Sequence, residues 1–245
     1  MLFSKNSCTY LFILVLFLVL VFSGIVQPAE MIVKVGFLLG SPYAFWSASS
    51  LIGIDVDICR LLSREMKYHF EYYVLPFSAL DPLVLKSLSL DLVVGGIHIT
   101  EERKKVFTFS APYLQSGLAI VLRKGIKWDG NVEHVRFAVK KGATGEMIIR
   151  EWLKAGKRVG YEALVSNQEI LTKLLLGQVD AAFFDYINAL YLSKSYGLQV
   201  WPKLIYETQI GFVVLKSELL NRINDLISKK STEIKNIVMR YVGSY

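Results

Sequence analysis

The feature that most constrains the fold is a local pattern that occurs twice along the chain. A helix, a short turn, an aspartate and an apolar strand follow one another before Gly95-Gly96 and again before Asp185; the two aspartates are Asp91 and Asp180. Helices that alternate with strands indicate an α/β protein. Two such units predict two α/β lobes. Sheets of this class bind ligands beyond the carboxyl ends of their strands, where Gly95-Gly96 and Asp185 fall.

The end of the chain is predicted to return to the first lobe. A strand is indicated at residues 206–215, and a helical pattern follows at residues 217–241. A chain that leaves one lobe near Tyr113 and comes back near Thr208 forms a two-stranded hinge. No Pro/Gly/Ser-rich stretch separates the lobes, which favours hinge strands over a flexible tether. The predicted lobes are residues 30–113 with 209–245, and residues 114–208.

Start and stop signals place the other elements. The first lobe is predicted to hold strands at residues 32–39 and 70–75, a helix that begins at Asp55, and a helix capped by Ser78. The second lobe is predicted to hold a strand at residues 137–140, a helix at 146–154, a helix that follows a capping box at 166–169, and a strand at 180–184.

The first 29 residues have the pattern of a secretory signal. A short segment with Lys5 and no acidic residue precedes an apolar run at residues 11–22, and Ser23, Gly24 and Ala29 follow it. This order predicts export and cleavage after Ala29. The apolar run is short for a membrane span, yet a retained anchor stays open as an alternative. We therefore expect the mature chain to be extracytoplasmic, in the periplasm or at the cell surface.

Composition excludes several classes of function. The formal charge is +7, but the Lys and Arg residues are scattered without a sustained basic run, so nucleic acid is not an expected partner. Cys59 is the one cysteine after the signal, which excludes an intramolecular disulfide and predicts a small core residue. The three histidines lack metal-ligand spacing, and no nucleotide-binding fingerprint occurs. We expect a monomer without metal or cofactor.

The segment after the first repeated unit indicates an anion site. Gly95-Gly96 ends a buried strand, Thr100 caps a short helix, and Arg103 lies one turn into that helix. Glycine permits close approach of a backbone, and a helix N-terminus beside a guanidinium is suited to a carboxylate. The alternative is a surface arginine that pairs with the neighbouring acids, Glu101 or Glu102.

Several motifs carry a family resemblance over residues 32 to the end. They are Pro42-Tyr43-Ala44-Phe45, Gly53-Ile54-Asp55-Val56-Asp57-Ile58, Phe77-Ser78-Ala79-Leu80-Asp81-Pro82-Leu83, Ile99-Thr100-Glu101-Glu102-Arg103 with Phe109-Ser110-Ala111-Pro112-Tyr113, and Gly177-Gln178-Val179-Asp180-Ala181 with Asp185. With these motifs the chain resembles the family 3 extracellular solute-binding proteins of ABC transporters, which bind polar amino acids. The resemblance implies a periplasmic-binding-protein-like (type II) fold of two α/β lobes that close on a ligand.

The resemblance also implies roles for individual residues. Arg103 is similar to the arginine that binds the ligand carboxylate, and Asp185 to the aspartate that binds the α-ammonium group. Phe77 is similar to the aromatic wall of the site. The other implied site residues are Gly96 and His98 beside the carboxylate, Ala143 and Thr144 in a turn of the second lobe, and Tyr43 in the aromatic loop.

Each role has a structural alternative. Asp185 could cap the helix that begins at Tyr186, Phe77 could belong to the core, and the aromatic cluster around Tyr43 could be core packing. Asp55 is expected to be a helix-start residue only. These alternatives stay open on the sequence.

Two departures from the family pattern affect the expected ligand. Phe37 lies near the place of an acidic residue that would help to bind an ammonium group, and His98 replaces a small hydroxyl residue. Both changes favour a ligand with less positive charge or with an aromatic ring. If His98 faces the ligand, affinity should tighten as the pH falls from about 8 to about 6. The alternative is a neutral histidine bonded to backbone.

The function that the resemblance implies is substrate binding for an ABC transporter. The chain would deliver an amino acid or a related small carboxylate to a membrane permease. A cyclohexadienyl dehydratase-like enzyme on the same fold is an alternative, with His98 or a cleft carboxylate as the acid. A ligand sensor with an uncleaved signal is a further one. We expect a binding protein rather than an enzyme.

Overall fold

The computed structural model describes residues 31–243, and two β-sheets organise this part of the chain. The first sheet contains β1 Ile32–Leu38, β4 His69–Leu75, β5 Leu92–Val94 and β12 Val213–Val214. Its order is β12-β5-β1-β4. Strand β1 pairs in parallel with β4 and β5, whereas β12 is antiparallel to β5. Strands β2 Phe45–Ser47 and β3 Ser50–Ile52 form a separate antiparallel pair.

The second sheet has a mixed arrangement. It contains β6 Leu114–Leu122, β7 Arg136–Lys140, β8 Gly160–Leu164, β9 Ala181–Asp185, β10 Gln199–Val200 and β11 Tyr206–Ile210. The order is β10-β6-β9-β7-β8, and β11 also pairs with β6. Strand β7 is parallel to β8 and β9. Strand β6 is antiparallel to β9, β10 and β11.

Helices connect and cover these strands. They are α1 Ile54–Met66, α2 Pro82–Ser87, α3 Glu101–Lys104, α4 Thr144–Lys154, α5 Asn167–Leu175, α6 Tyr186–Tyr196, α7 Leu220–Lys229 and α8 Ser231–Val242. Short 3₁₀ turns occur at Phe77–Ala79, Val132–His134 and Ser217–Leu219. The predicted tail helix at residues 217–241 is thus two helices that meet at Lys230.

The core explains why the strands are so apolar. Along β6, Ala119 and Val121 belong to one buried cluster, while Ile120 and Leu122 belong to another. The second sheet is therefore buried on both faces, as is typical of α/β proteins. In the first sheet, Phe37 packs in a cluster with residues of α1, α7 and α8. The predicted α/β class is confirmed, and the C-terminal helices pack against the first sheet.

The predicted strand at residues 206–215 proves to be two strands in two sheets. Strand β11 pairs with β6 from Tyr206 to Ile210, and β12 pairs with β5. The change of sheet occurs at Gly211, where a Cβ atom would come within 2.9 Å of the Ile99 side chain. Strands β6 and β11 therefore lie side by side where the chain passes between the sheets. The exact lobe boundaries, 30–113 with 209–245 and 114–208, stay predictions.

Helix caps show where the sequence pattern was sufficient. Thr100 and Ser166 cap α3 and α5 as predicted, since each hydroxyl accepts the N–H three residues later, at 3.3 and 3.1 Å. The predicted cap at Ser78 is wrong. Asp81 caps α2 instead, and its carboxylate accepts two N–H groups at 2.9 and 3.1 Å. Pro82 sets this start, because proline suits the first helical position, where the N–H has no helical partner.

Three predictions concern features outside the sheets. The proposed signal or anchor at residues 1–29 lies outside the described residues. Within residues 31–243, no helix is long and apolar enough to cross a membrane. Over the same range no group of three His, Cys, Asp or Glu side chains could hold a metal ion. Cys59 is fully buried on α1, as predicted for a core residue.

Candidate functional site

One cavity collects residues from the carboxyl ends of strands in both sheets. The first sheet supplies Phe77 after β4 and Gly95-Gly96 after β5; the second supplies Lys140 at the end of β7 and Asp185 at the end of β9. The space amounts to about 630 Å³, including its open mouth. We call it the central cavity. All eight residues that the sequence analysis proposed line it: Tyr43, Phe77, Gly96, His98, Arg103, Ala143, Thr144 and Asp185.

Arg103 is held in the cavity wall by its own loop. Its Nη1 donates a hydrogen bond to the carbonyl oxygen of His98 at 3.0 Å, and its Cζ lies 5.9 Å from the centre of the Phe77 ring. Burial lowers the pKa of Arg103 to about 10, so the guanidinium is still charged at neutral pH. Glu101 pairs with Lys104 at 2.8 Å instead of with Arg103. Within residues 31–243, no carboxylate oxygen lies within 4.0 Å of the guanidinium.

Asp185 is both a helix cap and the acid of the cavity. Its Oδ1 accepts the N–H groups of Ile187 and Asn188 at the start of α6, at 3.1 and 3.2 Å, and the hydroxyl of Tyr43. Its Oδ2 accepts His98 Nε2 at 2.9 Å and the Ser116 hydroxyl at 2.5 Å. Burial alone would raise the pKa of Asp185, but these hydrogen bonds hold it below its ordinary value. Five donors therefore satisfy one buried carboxylate.

His98 links the two sheets through its side chain. The ring is almost fully buried, with Nε2 on Asp185 and Nδ1 at 3.4 Å from the Thr144 hydroxyl. Because an ionised carboxylate only accepts hydrogen bonds, Nε2 carries a hydrogen. The expected alternative, a histidine bonded to backbone, is not the arrangement found, since both ring nitrogens contact side chains. The ring lines the cavity and at the same time positions Asp185.

The backbone N–H groups of the glycine pair bind a buried carboxylate. The N–H groups of Gly95 and Gly96 donate to Asp55 Oδ2 at 2.7 and 2.9 Å, and Tyr113 donates its hydroxyl to the same carboxylate. Burial raises the pKa of Asp55 to about 6. At Gly96, φ is 66° and a Cβ atom would come within 2.4 Å of the Tyr43 ring. Asp55 thus shapes the glycine turn, a role beyond the helix start expected from the sequence.

Lys140 is a cavity residue that the sequence analysis missed. Its Nζ lies 3.6 Å from the centre of the Phe77 ring, which therefore contacts two cations. Burial, and then the charge of Arg103, lower the pKa of Lys140 to about 7. The available signal was its place at the carboxyl end of a predicted strand.

Asn188 is a second residue that the sequence analysis missed. It lines the cavity from α6, and its Nδ2 donates to the Ser41 carbonyl oxygen. Its Oδ1 is the one buried side-chain polar atom of residues 31–243 that has no hydrogen-bond partner. The other departure noted in the sequence, Phe37, is fully buried and packs edge-on against Tyr72 at 4.7 Å between ring centres. Phe37 is a core residue outside the cavity lining.

Comparisons with known proteins agree with this fold. The chain is 31% identical over 136 residues to the arginine-binding periplasmic protein of Mannheimia haemolytica, which covers 55% of this chain and 54% of that relative. This chain therefore spans about half the length of that relative. An ancestral arginine-binding protein bound to glutamine has a TM-score of 0.77 at 26% identity, over 89% of this chain and 100% of that chain.

A second solved structure is similar to this chain, and a family model matches most of it. The structure is an ancestral amino acid-binding protein described as a precursor of cyclohexadienyl dehydratase; its TM-score is 0.76 at 26% identity, over 86% of this chain and 95% of that chain. The family model for bacterial extracellular solute-binding proteins, family 3, matches residues 33–244. This chain belongs to the bacterial extracellular solute-binding proteins, family 3.

Proposed function

We propose that this chain is the extracytoplasmic substrate-binding component of an ABC transporter and binds an amino acid or a related small carboxylate in the central cavity. The family membership supports a binding role, and the relatives described above are named for amino-acid binding. The ligand would be enclosed as the two lobes close about the strands β6 and β11. It would then be delivered to a membrane permease.

The observation that carries the proposal is that the buried charge of Arg103 is not paired with a carboxylate among the described residues. A buried charge is costly unless a partner of opposite charge compensates it. Arg103 has a carbonyl oxygen but no carboxylate as a partner among residues 31–243. A ligand carboxylate would supply the missing negative charge, and the planar guanidinium can bind both of its oxygens.

The remaining groups suit the rest of an amino acid. Phe77 would contact the side chain of the ligand, while Tyr43, Ala143 and Thr144 would border it. A buried acceptor without a donor costs free energy, so the free Oδ1 of Asn188 favours a ligand that carries a donor such as an amine. In this arrangement Asp185 would attract the ammonium group through its charge, although its lone pairs are already used.

A thermal-shift screen tests the proposed function. The purified protein is heated with each of the common L-amino acids and with small mono- and dicarboxylates, each beside its carboxamide analogue at the same concentration. We expect at least one carboxylate to raise the melting temperature in a saturable way. Its analogue with a carboxamide in place of the α-carboxylate should not raise the melting temperature. The absence of any saturable shift across the panel would contradict the proposal.

A dehydratase-like enzyme is the second candidate, and the solved precursor of cyclohexadienyl dehydratase is the observation that favours it. The test is incubation with prephenate and detection of the aromatic product that forms when CO2 and water are lost. We expect no product above the uncatalysed rate. Turnover that His98→Gln removes would support the enzyme instead.

The extracytoplasmic location is proposed from the pattern of residues 1–29. If they are a cleaved signal, the mature protein begins at Glu30, and N-terminal sequencing of the exported protein will detect that residue. A protein that keeps Met1 at the membrane would favour the anchored sensor.

A further inference from the structure

The charges around the central cavity do not balance. Its ionisable wall residues are Arg103, Lys140, His98, Tyr43 and Asp185. Asp185 is the single carboxylate among them, and it already accepts five hydrogen bonds from the protein. Arg103 and Lys140 have no carboxylate within 4.0 Å among the described residues. The cavity therefore holds two basic side chains, neither of which is paired with a carboxylate.

Both basic residues line the central cavity and lie near the same aromatic ring. Arg103 Cζ lies 5.9 Å and Lys140 Nζ lies 3.6 Å from the centre of the same Phe77 ring. One small ligand molecule packed on Phe77 can therefore reach both groups. The mutual repulsion of the cations is already visible, because the charge of Arg103 helps to lower the pKa of Lys140.

A cationic side chain would make this imbalance worse. The relatives described above include arginine-binding proteins, yet a guanidinium ligand needs an acid to pair with. Among residues 31–243, the wall offers only Asp185, whose oxygens are occupied by His98, Ser116, Tyr43 and two helix N–H groups. An anionic side chain, in contrast, would neutralise the second cation.

We propose that Lys140 binds a second acidic group of the ligand, so that the ligand is a diacid such as an acidic amino acid rather than arginine. This inference rests on the proposed function, in which Arg103 binds the first carboxylate. Lys140 then determines specificity between an acid and its neutral amide. The ligand lies against Phe77 with one acid group at each cation.

Calorimetric titration with matched ligand pairs tests the inference. The probes are L-glutamate against L-glutamine, L-aspartate against L-asparagine, and succinate against its monoamide, with L-arginine as the cationic comparison. We expect the unaltered protein to bind at least one diacid tenfold or more tightly than its amide and than L-arginine. In Lys140→Met the preference should fall below threefold, because the second cation is gone.

Control variants separate charge from packing. Lys140→Arg keeps a cation and should keep the preference, and Lys140→Gln replaces Lys140→Met if that variant does not fold. Lys141→Met removes the exposed neighbouring lysine and should behave like the unaltered protein. The inference is overturned if an amide or L-arginine binds as tightly as every diacid, if no diacid binds, or if Lys140→Met retains the preference. Binding of a monocarboxylate in the thermal-shift screen would still support the proposed function in those cases.

Discussion

The Asp185 network makes a quantitative prediction about stability. Asp185→Ala removes a helix cap, which costs about 1 kcal/mol. It also leaves the buried donors of Tyr43, His98 and Ser116 without their acceptor, at about 1–3 kcal/mol each before relaxation. Because water can enter the neighbouring cavity and satisfy some of them, we expect a total loss of roughly 3–5 kcal/mol in the free energy of unfolding.

Asp81→Ala is the matched control for this prediction. Asp81 caps α2 with the same chemistry, accepting two backbone N–H groups, but no side chain in the described part of the chain donates a hydrogen bond to it. Its loss should cost about 1 kcal/mol. Both variants are measured by urea unfolding without ligand. Asp185→Asn should fall between them, because an amide oxygen preserves the cap while the amide nitrogen cannot accept hydrogen bonds.

Equal losses of stability in the two alanine variants would contradict this prediction. If Asp185→Ala and Asp81→Ala lose the same free energy of unfolding, the contacts of Tyr43, His98 and Ser116 with Asp185 do not stabilise the protein. His98 would then have no role in positioning Asp185.

The remaining predictions concern protons and motion. Binding of an anionic ligand near pH 7.5 should be accompanied by proton uptake, because the ligand raises the lowered pKa of Lys140. Calorimetry in buffers of different ionisation enthalpy measures this uptake. The uptake should be absent in Lys140→Met and present in His98→Gln. The reverse pattern would assign the proton to His98, as the sequence suggested. Without ligand, the contribution of Lys140 to the free energy of unfolding should rise by up to about 4 kcal/mol between pH 7 and 10, because the unfolded chain keeps the lysine proton over this range while the folded protein releases it near pH 7. The difference in free energy of unfolding between the unaltered protein and Lys140→Met should therefore change with pH over this range, and a constant difference would contradict this. Saturating ligand should reduce the radius of gyration in small-angle scattering if binding favours the closed state, and identical curves would count against hinge closure.

Local sequence signals were sufficient for much of the fold. Periodicity and caps located α3 and α5, and the repeated helix-aspartate-strand unit predicted the α/β class. The error at Ser78 arose because two capping residues lie three positions apart and only Pro82 distinguishes them. The sequence predicted one strand at 206–215 because the apolar pattern continues through Gly211. The strands that pair with its two halves lie far away in the sequence, so the local pattern could not reveal the change of sheet.

The residues that line the central cavity were predictable from the sequence, but their contacts were not. The family motifs pointed to residues that now line one cavity. The partners of Asp185 could not be foreseen, since Tyr43 and His98 lie 142 and 87 positions away from it. Lys140 was missed because the inward direction of a side chain at the end of a strand depends on how the sheet packs.

Arg103→Ala provides the most direct test of the central claim that this cavity binds a carboxylate. The tightest ligand from the thermal-shift screen is titrated into Arg103→Ala and into Arg64→Ala, whose exposed arginine pairs with Glu233 away from the cavity. Loss of a charge-assisted contact of about 3 kcal/mol should weaken binding roughly a hundredfold in Arg103→Ala and leave Arg64→Ala unchanged. An unchanged affinity in a folded Arg103→Ala protein would contradict the account.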